Sequence, residues 1–395
     1  MLPLLLLSAA GFTVLTTEFV IVGLLPAIAR DLKVSISHAG LLVTLFAFAV
    51  AAFGPFLTAY MARFPRRLLF VVVLSLFAFS NLLAAVAGNF AVMSAARLIP
   101  ALMLPVFWSL ASETAVSIMG ADRAGKAVSL VSFGVVAATI FGIPIGTLIG
   151  DAFGWRAAFM SLAVLALLKS ILLWMFLPVI ESPAKSESVM KQFGILRSPV
   201  VIGHVILSLL VFAGMFTAYT YLADILERLG GFDGKAVGWI LMGFGAFGLI
   251  GNWLGGRMVD RNPLGATILF CAPLMLSLML LAPVVKLHLI LALVLAVWGM
   301  TQAALFTVSH ARVMKSAPDN AALGASLNIS GANMGIGLGA MIGGRVIDHA
   351  GLPSVGWAAA GVVLSAMVGS VLLMLASGRV EDEPGICQPK LDNQA

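Results

Sequence analysis

The sequence predicts an all-α membrane protein of twelve transmembrane helices, arranged in two six-helix halves. Its apolar composition, its long apolar segments and one central polar linker all support this. Of 395 residues, 61% are hydrophobic and 10% are charged, and the mean hydropathy is +1.09. Soluble domains have roughly 45–50% apolar and about 25% charged residues. The few charges here cannot cover a soluble globule of this size, so most of the surface is expected to face lipid.

Twelve segments are long and apolar enough to span a bilayer, which requires about 20 residues. Helices are expected because a helix satisfies its own backbone hydrogen bonds in lipid. The alternating ten-residue strands of a membrane barrel are not found in the sequence. The predicted spans are 3–29, 37–61, 68–88, 91–119, 124–150, 155–178, 201–226, 235–259, 263–285, 287–313, 320–348 and 353–377.

A polar, proline-containing segment at 179–200 divides the chain. It predicts an N-terminal half at 1–178, a cytoplasmic linker at 179–200, a C-terminal half at 201–378 and a cytoplasmic tail at 379–395. The halves echo each other, because a Gly-Trp pair opens span 6 and another opens span 12, and spans 5 and 11 are both rich in glycine. Duplicated six-helix halves are typical of transporters whose site lies between the halves.

The distribution of Lys and Arg predicts that both termini are cytoplasmic. The loops after even-numbered spans and the tail hold fourteen of these residues, against seven on the other side, and cytoplasmic loops carry the excess. The fourteen are Arg63, Arg66, Arg67, Arg123, Lys126, Lys185, Lys191, Arg197, Arg257, Arg261, Arg312, Lys315, Arg379 and Lys390. The seven are Arg30, Lys33, Arg156, Arg228, Lys235, Lys286 and Arg345.

Several function classes are disfavoured. The net charge of +6 comes without a basic patch interleaved with aromatics, so no nucleic-acid partner is expected. Cys271 and Cys387 indicate neither a disulfide framework nor a zinc site. No phosphate-binding GxxxxGK[ST] loop is present, which disfavours an ATP-driven pump. A membrane enzyme would need a cluster of ligating residues, and the five His are scattered. We therefore expect no enzyme activity, no cofactor and no metal, and a monomer in the inner membrane.

The loop after span 8 carries a recognisable motif, GRMVDRNP at 256–263. It resembles the G-x-x-x-D-R-x-G/P signature of the major facilitator superfamily. The resemblance implies that Asp260 caps a neighbouring helix and that Arg261 pairs across a gate. The corresponding loop after span 2, at 58–67, lacks the Gly and the Asp.

Span 5 reads GIPIGTLIG at 142–150, which is similar to the antiporter signature of proton-coupled exporters. Together with TTEFV at 16–20 and TAYTY at 217–221, it resembles the arabinose- and sugar-efflux-like branch of the drug:proton antiporter family. This implies export of a sugar, nucleoside or amphiphilic drug by alternating access, coupled to protons. An importer or uniporter of a related solute is the alternative. The residues expected to support the conformational change are Gly142, Pro144, Gly146 and Gly150.

Gly146 and Gly150 lie four residues apart and therefore share one helix face. We expect this face to pack on a helix of the other half, with span 8 as the candidate.

Two ionisable residues are predicted to lie inside the membrane, where a charge costs at least ~2.5–3.5 kcal/mol on insertion scales. Glu18 in span 1 is the candidate for proton coupling, with a structural hydrogen bond as the alternative. Arg97 in span 4 is the candidate for gating. The two lie at similar depths, so we expect an ion pair or a shared water between them. Lys169 in span 6 is also deep, and could extend toward the headgroups.

Aromatic and amide side chains within the spans are candidates for the substrate cavity. Rings that stack and groups that donate hydrogen bonds suit sugars or nucleosides, although Ser, Thr and Asn also join helices to one another. The candidates are Trp108, Tyr219, Tyr221, Trp298, Gln302, Asn328 and Asn333.

Overall fold

The computed structural model of the protein describes residues 1–120, 123–178, 180, 198–317 and 321–381, and these residues contain helices and no strand. The predicted fold class is confirmed. The linker and tail predicted at 179–200 and 379–395 lie largely outside the described residues. The helices are α1 (Leu2–Asp31), α2 (Ile36–Met61), α3 (Arg66–Ala85), α4 (Phe90–Met119), α5 (Ala124–Ala137, Ala138–Gly142 and Ile143–Phe153), α6 (Trp155–Phe176), α7 (Pro199–Tyr219, Leu222–Asp224 and Ile225–Leu229), α8 (Gly234–Val259), α9 (Pro263–Val284), α10 (His288–Lys315), α11 (Ala321–Ala350) and α12 (Val355–Glu381).

Eleven of the described helices are long and apolar enough to cross a membrane. The helix not among them is α11, which is rich in glycine and carries Asn328 and Asn333. It packs extensively on α2 and α7. Its polar groups are thus covered by protein, so this helix does not need the apolar composition of a lipid-facing span.

Two helices are irregular where the sequence motifs lie. Within α5, the turn Ala138–Gly142 is π-helical, directly before Pro144, which has no N–H to donate to the preceding turn. Within α7, the regular helix stops at Tyr219 and continues at Leu222. The π-helical turn of α5 therefore ends at Gly142, where GIPIG begins, and the interruption of α7 falls within TAYTY.

The helices pack in two groups, α1–α6 and α7–α12, which meet mainly through α2 on α11 and α5 on α8. We call the end of the bundle where α1 ends and α2 begins the closed end. There one apolar core runs through both groups, from Leu25 of α1 and Leu42 of α2 to Leu222 of α7 and Val237 of α8.

Polar contacts join the two groups at the closed end. Arg30 in the last turn of α1 pairs with Glu227 of α7 at 2.6 Å. The Ser37 hydroxyl of α2 donates to the Asp348 carboxylate of α11 at 2.6 Å. Deeper in the bundle, the Thr44 hydroxyl of α2 donates to the backbone carbonyl of Gly337, at 3.1 Å.

The opposite end, which we call the open end, is packed differently. Among the described residues, the buried apolar side chains of α1–α6 near this end form a separate core, with Leu7, Phe70 and Phe107 among its members. Within the part of the chain that the structure describes, Ile329 of α11, which is partly buried, is the one apolar residue of the second group that packs against this core. The described residues therefore share an apolar core across the two groups at the closed end, whereas the core at the open end belongs almost entirely to the first group.

The glycine face of α5 corrects the expectation drawn from its spacing. A Cβ atom at Gly142, Gly146 or Gly150 would collide with side chains of α1, in the same group, and not with α8. The close approach to α8 uses glycines of α8 instead, because a Cβ at Gly245 would lie 2.6 Å from the Thr139 carbonyl oxygen. The four-residue spacing indicated a close helix contact correctly, but it could not identify the neighbouring helix.

Because the glycines of α5 and α8 contact different helix groups, we expect one glycine substitution to lower stability and another to block transport. We expect Gly146→Leu to lower the stability of the first helix group by about 1–3 kcal/mol, since its side chain is forced against α1. Gly245→Leu should leave each group folded and block transport, because it obstructs the contact between groups. Thermal melting of purified protein and solute exchange in proteoliposomes measure the two effects.

Gly243→Leu is the matched control, because a Cβ at Gly243 meets no atom within 4 Å. It should melt and transport like the wild type. Equal transport by Gly245→Leu and Gly243→Leu would contradict a moving contact between α5 and α8.

Candidate functional site

A cavity of about 200 Å³ lies between the two helix groups. Helices α1 and α5 line it from the first group, and α7, α8 and α10 from the second. No charged side chain is among the lining residues. They are Leu15, Phe19, Val135, Val136, Thr139, Ile143, Phe216, Tyr219, Phe244, Gly245, Gly248, Leu249, Asn252, Gly299, Gln302, Ala303 and Phe306.

Aromatic rings dominate one side of the cavity. Tyr219 stacks on Phe244 with ring centroids 5.5 Å apart, and Phe216 meets Tyr219 edge-on at 5.4 Å. Phe19 contributes from α1 and lies 5.8 Å from Phe216. Phe306 completes the cluster, 6.3 Å from Phe216. Such a wall favours a ligand with a flat or apolar face.

Two polar groups at this wall can form hydrogen bonds with a ligand. The Trp298 indole N–H donates to the Gln302 side-chain oxygen at 2.8 Å. Since an indole N–H can only donate, it orients the amide with its NH₂ group unused. That NH₂ group and the Tyr219 hydroxyl have no hydrogen-bond partner among the described residues. Of the predicted cavity residues, Tyr219 and Gln302 line the cavity, and Trp298 supports Gln302 from behind.

The remaining predicted cavity residues lie outside this lining. The Tyr221 hydroxyl donates to the Ala340 carbonyl oxygen at 2.7 Å, toward the closed end. Trp108 packs edge-on against Phe107 within the first group. Asn328 contacts His310 at 3.4 Å, and Asn333 donates to its own helix at Ile329. The Tyr221 hydroxyl and the NH₂ groups of Asn328 and Asn333 thus contact other helices or their own helix, whereas the side-chain oxygens of both Asn residues are buried without a hydrogen-bond partner among the described residues.

Of the two arrangements expected for Glu18 and Arg97, an ion pair or a shared water, the structure does not contain the direct ion pair. The Arg97 guanidinium donates instead to the backbone carbonyl oxygens of Thr17 and Glu18, at 2.5 and 2.7 Å. It also lies over the Phe46 ring, 4.5 Å from the centroid. Its planar fork matches two successive carbonyls of one helix. The similar depth of the two residues was correct, but the backbone rather than the carboxylate is the partner.

The Glu18 carboxylate is thereby left without a hydrogen-bond or ion-pair partner among the described residues. The residue is 8% exposed. It lies one turn from Leu15 and next to Phe19, which both line the cavity. A buried acid without a partner near a cavity is a candidate for binding a proton or a ligand.

The loop motif after α8 makes its contacts within the second group. Asp260 pairs with Lys315 of α10 at 3.0 Å, and both side chains are well exposed. Asn262, not Asp260, caps the following helix by accepting from the Gly265 N–H at 2.8 Å. Arg261 is exposed, and it makes no ion pair or side-chain hydrogen bond with the described residues of the first group.

Two further buried cations, Arg66 and Arg312, were not anticipated from the sequence. Arg312 is 1% exposed, although its position near the end of span 10 predicts a loop residue. It donates to His204 Nδ1 and to the Ser208 hydroxyl of α7, both at 3.0 Å. Depth at a helix end depends on the neighbouring helices, so the charge count alone could not reveal it.

Comparison with known proteins assigns this architecture. Residues 7–327 match the model of the Major Facilitator Superfamily. The inner membrane transport protein YdhP of Escherichia coli (strain K12) is 32% identical over 385 residues, covering 96% of this chain and 97% of YdhP. The probable sugar efflux transporter of Mannheimia succiniciproducens is 31% identical over 375 residues, covering 95% and 94%.

A solved structure has the same fold. A bacterial homologue of the human lysosomal transporter Spinster, in an inward-facing and occupied conformation, superposes with a TM-score of 0.71 at 17% sequence identity. The match covers 95% of this chain and 94% of that one. The relatives are transporters and not enzymes, in agreement with the sequence.

Proposed function

From the premise that the chain belongs to the major facilitator superfamily, and is a multi-pass membrane transporter of small solutes, we propose that it exports its solute in exchange for protons. The observation that carries the proposal is Glu18, a buried carboxylate without a partner beside the cavity. It can bind a proton in one state of the cycle and release it in the other. Arg97 cannot take this role, because a guanidinium stays protonated at working pH.

The cavity supports an uncharged solute with an apolar or aromatic face. Five rings, those of Phe19, Phe216, Tyr219, Phe244 and Phe306, contrast with few polar side chains. A nucleoside or an amphiphilic drug fits this lining, with its polar edge on Tyr219 and Gln302. Efflux of a sugar is the second candidate, favoured by the name of the Mannheimia relative.

Respiring everted membrane vesicles that contain the protein test the proposal. Respiration acidifies the lumen, and an exported solute added outside should be taken up while protons leave. A pH-sensitive dye in the lumen should report a rise in pH on addition of the solute. A panel of nucleosides, amphiphilic drugs and sugars ranks the substrate classes. Solute uptake without any change in luminal pH would favour the alternative of a uniporter.

We further propose that the termini and the open end face the cytoplasm, on the basis of the Lys and Arg asymmetry. A reporter enzyme fused after residue 190, or at the C-terminus, should show cytoplasmic activity. A fusion after Gly231, in the turn between α7 and α8, should read as periplasmic and serves as the control. Periplasmic activity after residue 190 would reverse the orientation.

A further inference from the structure

Lys169 is an ionisable residue that the cavity and the gate contacts do not use. It lies in α6, seven residues before the helix ends at Phe176, which corresponds to about 10 Å at 1.5 Å per residue. Its ammonium group is directed at α1 rather than at the open end of the bundle. It donates to the Thr13 hydroxyl of α1 at 2.5 Å and lies 5.9 Å from the Phe12 ring centroid.

Thr13 belongs to a row of polar groups on α1. The Thr17 hydroxyl donates to the Thr13 carbonyl at 2.9 Å, and Asn81 of α3 donates to the Thr17 hydroxyl at 3.1 Å. The Arg97 guanidinium donates to the backbone carbonyl oxygens of Thr17 and Glu18. We call Thr13, Thr17, Glu18, Asn81, Arg97 and Lys169 the α1 polar strip. Its Lys169 end is nearer the open end of the bundle, and its Glu18 end is nearer the closed end.

The strip contains two cations and one carboxylate. With Glu18 ionised and Lys169 protonated, its net charge is +1. With Glu18 protonated and Lys169 neutral, the net charge is again +1. Moving one proton between the two residues therefore leaves the buried charge unchanged, which matters because uncompensated charge is costly away from water.

On the described parts of the helices that pack against α6, which are α1, α3 and the second part of α5, the charged groups other than Glu18 lie toward the helix ends. One of them, Arg67, contacts α6 itself, because its guanidinium lies 4.6 Å from the Trp174 ring centroid. On these helices, Arg30, Asp31 and Asp151 are at the closed end, whereas Arg66 and Arg67 are at the start of α3. No described carboxylate is within ion-pair distance of Lys169. Glu18 is the acid with which it can share a proton.

We propose that Lys169 is the second proton site of the transporter and lies between Glu18 and the open end. In the state open at that end, the O–H bond of Glu18 breaks and an N–H bond forms on the neutral Lys169 amine. The ammonium then releases its proton to water at the open end. Thr13 and Glu18 are separated by a rise of about 7.5 Å along α1 and by about 140° around it, so the two side chains are not on one face and water must carry the proton around the helix between them. This inference rests on Glu18 being the coupling residue.

The test compares Lys169→Met, which removes the titratable group, with Lys169→Arg, which keeps the charge but does not release a proton at working pH. Each is reconstituted in proteoliposomes, with a solute that the wild type transports. Proton-driven accumulation and solute counterflow without a pH gradient are measured separately.

We expect both variants to accumulate no solute above equilibrium, whereas the wild type should accumulate it about tenfold per pH unit if one proton is exchanged per solute. We also expect both to keep counterflow within about twofold of the wild type, because binding and the conformational change do not need net proton release. Lys235→Met, in the first turn of α8 at the closed end, is the control and should behave as the wild type.

Three results overturn the inference. Wild-type accumulation by Lys169→Arg would mean that only the charge matters. Loss of counterflow together with a lowered melting temperature in both variants would assign Lys169 a structural role. Wild-type accumulation by Lys169→Met would remove the residue from the proton path. A wild-type protein that shows counterflow but no proton-driven accumulation would instead refute the proposed function itself, before any variant is compared.

Discussion

Glu18→Gln is expected to abolish proton-driven accumulation of the solute while solute counterflow continues. The amide keeps the size and hydrogen-bonding capacity of the side chain but cannot bind and release a proton. A pH gradient of one unit is worth about 1.4 kcal/mol, which supports about tenfold accumulation for one proton per solute. The variant should therefore fall from this ratio to equilibrium. The measurement is uptake into proteoliposomes at a clamped membrane potential, with and without a pH gradient.

Asp233→Asn is a suitable control for the loss of one carboxylate. Asp233 lies outside the cavity and caps α8 by accepting from the Ala236 N–H at 2.7 Å, and Asn is an equally good cap. Its accumulation should match the wild type. Accumulation by Glu18→Gln at the wild-type ratio would exclude Glu18 as the coupling residue and leave the first helix group without a deep carboxylate candidate.

Cross-linking the closed end is expected to stop transport completely and reversibly. Ser37 and Asp348 touch across the two helix groups at 2.6 Å, and alternating access requires this contact to open. We expect Ser37→Cys combined with Asp348→Cys to be locked by a short bis-methanethiosulfonate reagent, which joins the two thiols through reducible disulfide bonds, in a background where Cys271 and Cys387 are replaced by Ser. Solute exchange should disappear on cross-linking and return after reduction.

The chain offers a matched pair for this experiment. The hydroxyls of Ser75 in α3 and Ser170 in α6 are 3.0 Å apart within the first group. A cross-link there joins helices that move together, so transport should continue. Continued exchange in the protein locked between positions 37 and 348 would show that the closed end does not open during transport.

The transmembrane helices were predictable because the bilayer imposes a length and a composition on any spanning segment. The predicted spans and the observed helices differ by a few residues at their ends. Side-chain caps settle several of these ends: Ser35 accepts from the His38 N–H, and Asn89 from the Val92 N–H. A capping residue can be recognised from the local sequence, and it fixes the residue at which the helix begins.

The candidate site was predictable only in part. Glu18 and Arg97 stood out because charge inside a membrane is costly, and both are buried. Tyr219 and Gln302 were found through their polar atoms. The phenylalanines of the cavity wall were not, because in sequence a phenylalanine facing a ligand is indistinguishable from one facing lipid. Phe19 and Phe244 gave no signal of their own.

The sequence by itself determined which segments cross the membrane, which residues are too polar to face lipid, and where helices approach closely through glycine. Only the tertiary structure decided the partners. It placed the glycines of α5 against α1, seated Arg97 on the Thr17 and Glu18 carbonyls, and turned Lys169 toward Thr13. The physical reason is that hydropathy and spacing act along one helix, whereas a hydrogen bond or a close contact depends on the rotation and depth of two.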